Sequence, residues 1–117
     1  MTTILVLDDD QVIVDLLQTV LTDAGYDTLV ASDLSAVPEN TSADIVVTDL
    51  VPVKAYRRET ALEWIKSLRA RFVGSPLVVL TAHVDAVAEA DLLGANAIIT
   101  KPFDVDVLLA KLDELSR

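Results

Sequence analysis

Four short aliphatic runs punctuate the chain, and each ends in a polar residue. Ile4-Leu5-Val6-Leu7 runs into Asp8-Asp9, and Ile45-Val46-Val47-Thr48 into Asp49. Leu77-Val78-Val79-Leu80 runs into Thr81, and Ala97-Ile98-Ile99-Thr100 into Lys101-Pro102. Short apolar runs with polar ends, separated by helical patterns, predict parallel strands buried on both faces. Residues 11–24 carry Ile13, Leu16, Leu17, Val20, Leu21 and Ala24 in a helical i, i+3, i+4, i+7, i+8, i+11 stripe, and Gly25 follows as the stop. Residues 27–31 read as a weaker strand. Ser32 or Asp33 caps a short helix that Pro38 and Asn40 limit. A loop over 50–58 leads to a helix from residue 59 or 60 to 71, with Leu62, Ile65, Leu68 and Phe72 turned inward. Gly74-Ser75-Pro76 is a turn. Residues 85–93 form a short helix ended by Gly94. Asp104 caps a last helix whose apolar stripe is Val105, Leu108, Leu109, Leu112 and Leu115.

Strand and helix thus alternate through five βα units, with no linker, repeat or low-complexity segment. The expectation is one domain over 1–117, with right-handed crossovers placing helices on both faces of a five-stranded parallel sheet. In an open α/β sheet the ligand site lies at the carboxyl ends of the strands. The carboxylates of Asp8, Asp9 and Asp49, the Thr81 hydroxyl and the Lys101 ammonium should then meet at one edge. That set suits a Mg²⁺-dependent phosphoryl-accepting site.

Composition narrows the picture. Of the 117 residues 52% are hydrophobic and only 4% aromatic, so the core must be Leu, Val, Ile and Ala. The net charge of −10 argues against direct contact with nucleic acid or an anionic membrane, both of which want basic patches. Part of the acidity is local, since Asp8, Asp9 and Asp10 repel one another unless a cation is near. The absence of cysteine excludes disulfides, thiol catalysis and Cys-metal sites. No basic segment precedes the first apolar run, which is too short for a signal peptide or a membrane span, so a cytoplasmic location is the default.

Taken in order, these motifs resemble the receiver (response regulator) domain of two-component signal transduction. The likeness runs from Ile4-Leu5-Val6-Leu7-Asp8-Asp9-Asp10 to the last helix. It implies a flavodoxin-like (βα)5 three-layer fold with strand order 2-1-3-4-5. It also implies that Asp49 is the phosphoacceptor, taking a phosphoryl group from a phosphohistidine on a sensor histidine kinase or histidine phosphotransfer protein. Asp8 and Asp9 would hold Mg²⁺ with Asp49, and the Val51 carbonyl would add a further ligand. Thr81 would donate its hydroxyl to the phosphoryl group. Lys101 would pair with that group, and with Asp49 beforehand, across a cis Lys101-Pro102 bond.

Taken singly, the residues have plainer readings. Asp8 and Asp9 suit strand ends and helix caps, Asp49 a turn and Thr81 a strand end, and a lone Lys-Pro means little. Asp10 reads as charge at a helix N-terminus, and His83 as an exposed loop residue. It is their convergence on one sheet edge that favours the functional reading.

The chain departs from the family pattern in three places. Pro52 comes one residue early after Asp49, and Val53-Lys54-Ala55-Tyr56-Arg57-Arg58-Glu59 replaces the usual short turn. This segment is either a partner-docking element or a solvated insertion, and the shift puts the Val51 carbonyl in question. Ile98 stands where the family carries a switching aromatic, so either other packing carries the switch or the conformational change is small. Thr81 and Lys101 are closer in sequence than usual, which shortens the helix between them or its leading loop.

The main expectation is a stand-alone receiver, without an output domain and not a conventional turnover enzyme, that signals to a downstream protein by phosphorylation-dependent contact. An interaction module with the phosphate switch lost or modified is the alternative. A phosphatase with an Asp nucleophile is disfavoured, because no Asp-x-Asp pair with a cap domain follows the first strand.

Overall fold

Five parallel strands form a single sheet: β1 (Thr3–Leu7), β2 (Asp27–Ala31), β3 (Ile45–Thr48), β4 (Leu77–Thr81) and β5 (Ala97–Thr100). Their spatial order is β2-β1-β3-β4-β5. The structure is a computed structural model that describes residues 2–50, 57–89 and 94–116. Among these residues the helices are α1 (Gln11–Asp23), α2 (Arg58–Arg71), α3 (Val84–Ala88) and α4 (Val105–Leu115), with a 3-10 turn at Leu34–Ala36. This is the flavodoxin-like α/β fold in the strand order expected from the sequence.

The sheet is covered on both faces. On one side Leu5, Leu7, Val46, Val79 and Leu77 pack with Ala61, Ile65 and Leu68 of α2 and Ala86 of α3. On the other, Ile4, Val6, Ile45, Val47, Val78 and Leu80 pack with Leu17 and Leu21 of α1 and Leu108 and Leu112 of α4. Strands β1, β3 and β4 are buried almost throughout, which is why they read as unbroken aliphatic runs. Strand β2 lies at the sheet edge and is half open, which explains its weaker pattern.

Helix α1 starts at Asp10, whose carboxylate accepts the Val12 amide at 3.0 Å. It ends in a Schellman arrangement. Gly25 N–H reaches Thr22 O at 3.0 Å and Tyr26 N–H reaches Leu21 O at 3.1 Å, with Gly25 at φ +96°. A left-handed backbone suits glycine there because no Cβ is present to clash. Asp104 caps α4 as expected, accepting the Asp106 amide at 2.8 Å.

The structure corrects three expectations. The buried line of α1 is Val14, Leu17 and Leu21, whereas Leu16 is 43% exposed and Ala24 faces solvent. The helix meets the sheet along a narrower stripe than its apolar positions allow. The second predicted helix is a single 3-10 turn. Asp33 caps it through the Ala36 amide, and Pro38, which has no N–H, follows its C-cap Val37. Helix α2 begins at Arg58, and Ala61 joins Ile65 and Leu68 in its buried line, with Leu62 partly buried against the same core. Of the helix predicted over 85–93, α3 accounts for the first part, and residues 90–93 lie outside the described residues.

Candidate functional site

The centre of the sheet brings the acids together. Leu7 and Thr48 are register partners on neighbouring strands, so the residues that follow them, Asp8 and Asp49, emerge side by side at the carboxyl edge. Backbone bonds fix both: Asp49 N–H to Leu7 O at 2.8 Å and Asp8 N–H to Ala31 O at 3.2 Å. Asp8 Oδ1 accepts the Asp10 amide at 2.9 Å, which ties it to the start of α1. Carboxylate oxygens of Asp8, Asp9 and Asp49 lie within 4.8 Å of one another, with Asp8 buried, Asp49 half-buried and Asp9 exposed.

Lys101 reaches this group from the far side of the sheet. Thr81 and Thr100 close the β4–β5 ladder, and Lys101 N–H then donates to Thr81 O at 2.8 Å. The Lys101-Pro102 bond is cis, as expected. Lys101 Nζ lies 3.0 Å from Asp8 Oδ2 and 3.4 Å from Asp49 Oδ2. The other Asp49 oxygen, Oδ1, accepts the Leu50 amide at 2.8 Å.

Charge balance sets the character of the site. Among the described residues three carboxylates face one ammonium, leaving two negative charges. Burial raises the Asp8 pKa above the ordinary carboxylate value and the Asp49 charge adds to the rise, against hydrogen bonds from Asp10 and Lys101. For Lys101 burial works downward. The Asp8 hydrogen bond and the charges of Asp49 and Asp8 outweigh it, and its pKa is raised. The two rises have different causes: burial dominates at Asp8, and the neighbouring carboxylates dominate at Lys101.

The excess charge, the hard oxygen donors and the half-open position fit a divalent cation such as Mg²⁺, which takes one or two carboxylates and keeps several waters. Among the described residues these three form the group of acidic or imidazole side chains so placed.

Thr81 is fully buried at the end of β4, and its Oγ1 accepts the His83 amide at 3.0 Å. Ile98 lies in a register row with Leu7, Thr48 and Val79 and packs on the α2 face of the core. Val51 and the basic segment 53–56 lie outside the described residues. The last of the loop's basic residues, Arg58, opens α2 and pairs with Glu89 at the end of α3 at 2.9 Å.

Reading the sequence alone missed one neighbour of Asp49. The Trp64 indole N–H lies 3.0 Å from both Thr48 Oγ1 and Asp49 O. Its signal was present: Trp64 sits three residues after Ala61 and four before Leu68, on the inward stripe of α2.

Comparison with known proteins agrees with this geometry. The model of the response regulator receiver domain matches residues 4–113, and the chain belongs to that family of two-component signalling domains. It is 34% identical over 120 residues to the alkaline phosphatase synthesis transcriptional regulatory protein PhoP of Bacillus subtilis, a match covering 97% of this chain and 48% of that protein. It is 33% identical over 118 residues to the transcriptional regulatory protein KdpE of Mycobacterium tuberculosis, covering 96% of this chain and 50% of the relative. The chain therefore spans about half the length of these relatives. Among solved structures it superimposes on the chemotaxis response regulator CheY4 of Vibrio cholerae with a TM-score of 0.77, at 25% identity and 98% coverage of both chains. Among the described residues no helix is long and apolar enough to cross a membrane.

Proposed function

We propose that the protein takes a phosphoryl group onto Asp49 from a phosphohistidine of a sensor histidine kinase or histidine phosphotransfer protein. The observation that carries this reading is the convergence of Asp8, Asp9, Asp49 and Lys101 at one sheet edge, with Asp49 Oδ2 turned to the ammonium. Asp49 Oδ1 is committed to the Leu50 amide, so Oδ2 is the attacking oxygen. It forms the new P–O bond as the P–N bond breaks, and the imidazole leaves with the electron pair.

Asp8, Asp9 and Asp49 would hold Mg²⁺, with the Val51 carbonyl as a further ligand. The bound cation supplies neutralisation of the charge on the transferring group. Lys101 supplies a second positive charge beside Oδ2 and is placed to follow the phosphoryl oxygens. The Thr81 hydroxyl serves as donor to one of them. A phosphoryl group adds charge and three acceptor oxygens, and the edge formed by β4, β5 and α3 responds by changing its contacts with a downstream protein. The protein is thus a phosphoacceptor and not a turnover enzyme.

A second reading rests on one observation. The relatives are transcriptional regulators of about twice the matched length, so the receiver can also serve as the regulated part of a longer regulator. In that reading the −10 charge of this domain favours a nucleic-acid contact made by another part of the regulator.

A Mg²⁺ titration followed by Trp64 fluorescence and by the backbone amides of Asp8, Asp9 and Asp49, then repeated with beryllofluoride, tests the site. Saturation at millimolar Mg²⁺ and tight uptake of the phosphoryl mimic are expected. Absence of both favours an interaction module without a phosphate switch.

A further inference from the structure

Asp49 turns Oδ2 to the Lys101 ammonium at 3.4 Å, and its other polar atoms are each held by a named partner. Its N–H is bonded to Leu7 O at 2.8 Å, and its Oδ1 accepts the Leu50 amide at 2.8 Å. Its carbonyl accepts twice, from the Thr48 hydroxyl at 2.6 Å and from the Trp64 indole N–H at 3.0 Å. The Asp49 carbonyl and the Leu50 N–H belong to one peptide group. A planar trans peptide fixes its C=O and N–H in one plane on opposite sides. Whatever holds the carbonyl therefore aims the N–H, and the N–H aims the carboxylate.

We infer that Trp64 is a positioning residue for Asp49, acting through the Asp49–Leu50 peptide to set the rotamer that presents Oδ2 to Lys101. This rests on the phosphoacceptor reading for its functional consequence, but the structural link stands on these hydrogen bonds alone. Two features make the indole suited to the task. Trp64 packs against the core on the α2 face, so its ring is anchored by the same helix line that holds Ala61, Ile65 and Leu68. Its N–H is a donor only, with no acceptor function to reorient it. Register places Thr48 and Ile98 in one row of that face, and Trp64 of α2 reaches the Thr48 end of the row through its indole N–H.

The link also runs in reverse. Anything that turns the Asp49 carboxylate or shifts its peptide changes the acceptors of the indole N–H, which makes Trp64 a built-in reporter of the Asp49 state.

The test compares the wild-type chain with Trp64→Phe, which keeps an apolar ring but lacks the N–H, and with Thr48→Val. One readout is the initial rate of phosphoryl uptake from acetyl phosphate with Mg²⁺, by intact mass. The other needs no phosphodonor: the position of the Leu50 amide proton in the NMR spectrum, where bonding to a carboxylate moves it downfield.

Both variants should fold, with melting temperatures lowered by about a few degrees, because each leaves the Asp49 carbonyl one donor. Uptake should slow about threefold to tenfold, the worth of one neutral hydrogen bond, and the Leu50 proton should move upfield in both. Unchanged uptake with an unchanged Leu50 resonance overturns the inference, and so does slow uptake with the Leu50 resonance unmoved. Should Trp64→Phe fail to fold, Thr48→Val decides by the same two readouts. Should the wild-type chain take no label, the phosphoacceptor reading fails, and the Leu50 resonance alone decides whether the indole holds the peptide.

Discussion

The Lys101 ammonium lies 3.0 Å from Oδ2 of Asp8, although 93 residues separate them in the chain. Their strands are not neighbours, since β3 and β4 stand between β1 and β5. Three inter-strand spacings of about 4.8 Å each are bridged because a long side chain leans inward from one strand end and short acids rise from the others. The pair closes the carboxyl edge of the sheet over Asp49, and most of the site's expected behaviour follows from it.

Replacing Lys101 by Met removes the one positive charge that the described residues bring to the three carboxylates. Without a divalent cation the variant should lose about 1–3 kcal/mol, the cost of leaving a buried charged acceptor unpaired. It should also bind Mg²⁺ several-fold more tightly, because the site then holds three negative charges instead of two. Thermal melts with and without Mg²⁺ measure both effects. Equal melting temperatures and equal affinities would remove Lys101 from the account.

Asp8→Asn should make the Mg²⁺-free domain more stable at neutral pH. The Asp8 pKa is raised in the folded state, chiefly by burial and further by Asp49, so its ionised form is disfavoured relative to the unfolded chain. That destabilisation is present above the folded pKa. It fades as pH falls through that pKa and is gone below the ordinary value of 3.8. Denaturant titrations of both proteins across this window should therefore converge at the acid end. A gap that stays constant with pH would contradict the assignment.

Val14→Ala and Leu16→Ala separate the two sides of α1. Val14 is 5% exposed and Leu16 43%. Losing the two buried Val14 methyl groups should cost about 2 kcal/mol. Leu16→Ala should stay within about 0.5 kcal/mol. Chemical denaturation of both variants checks the order, and the reverse order would place the helix in the wrong rotation.

That contrast shows where the sequence was legible. The buried strands declared themselves because both faces are covered, so Ile4 to Leu7 and Leu77 to Leu80 carry no polar position. The caps at Asp33 and Asp104 and the stop at Gly25 act within a few residues, and local chemistry is visible in a string, whereas Asp10, read only as helix N-terminal charge, is the cap of α1. The acids and the lysine were found for the same reason, each directly following a strand. The rotation of α1 was not legible, since Leu16 fits an apolar stripe as well as Val14 does. The Trp64 contact with Asp49 was also hidden, because periodicity gives the face of a helix but not the partner of its indole N–H.

Arg71 illustrates the same limit and gives a further prediction. Its guanidinium donates to the carbonyls of Leu34, Val37 and Pro38 at 3.1, 2.5 and 2.7 Å. It thereby satisfies the 3-10 turn and the residues after it, where a longer helix was expected. Arg71→Ala should cost about 1–3 kcal/mol and speed amide exchange at Ala36 and Val37, leaving Mg²⁺ affinity unchanged. Hydrogen exchange followed by NMR reads the first effect locally, and unaltered protection there would show that the turn holds itself.

The measurement closest to the central claim is the intact mass of the protein after incubation with acetyl phosphate, with and without Mg²⁺, beside Asp49→Asn. A single phosphoryl adduct that requires both Mg²⁺ and Asp49 is the predicted result. An adduct of equal yield in Asp49→Asn, or one formed equally without Mg²⁺, would contradict it.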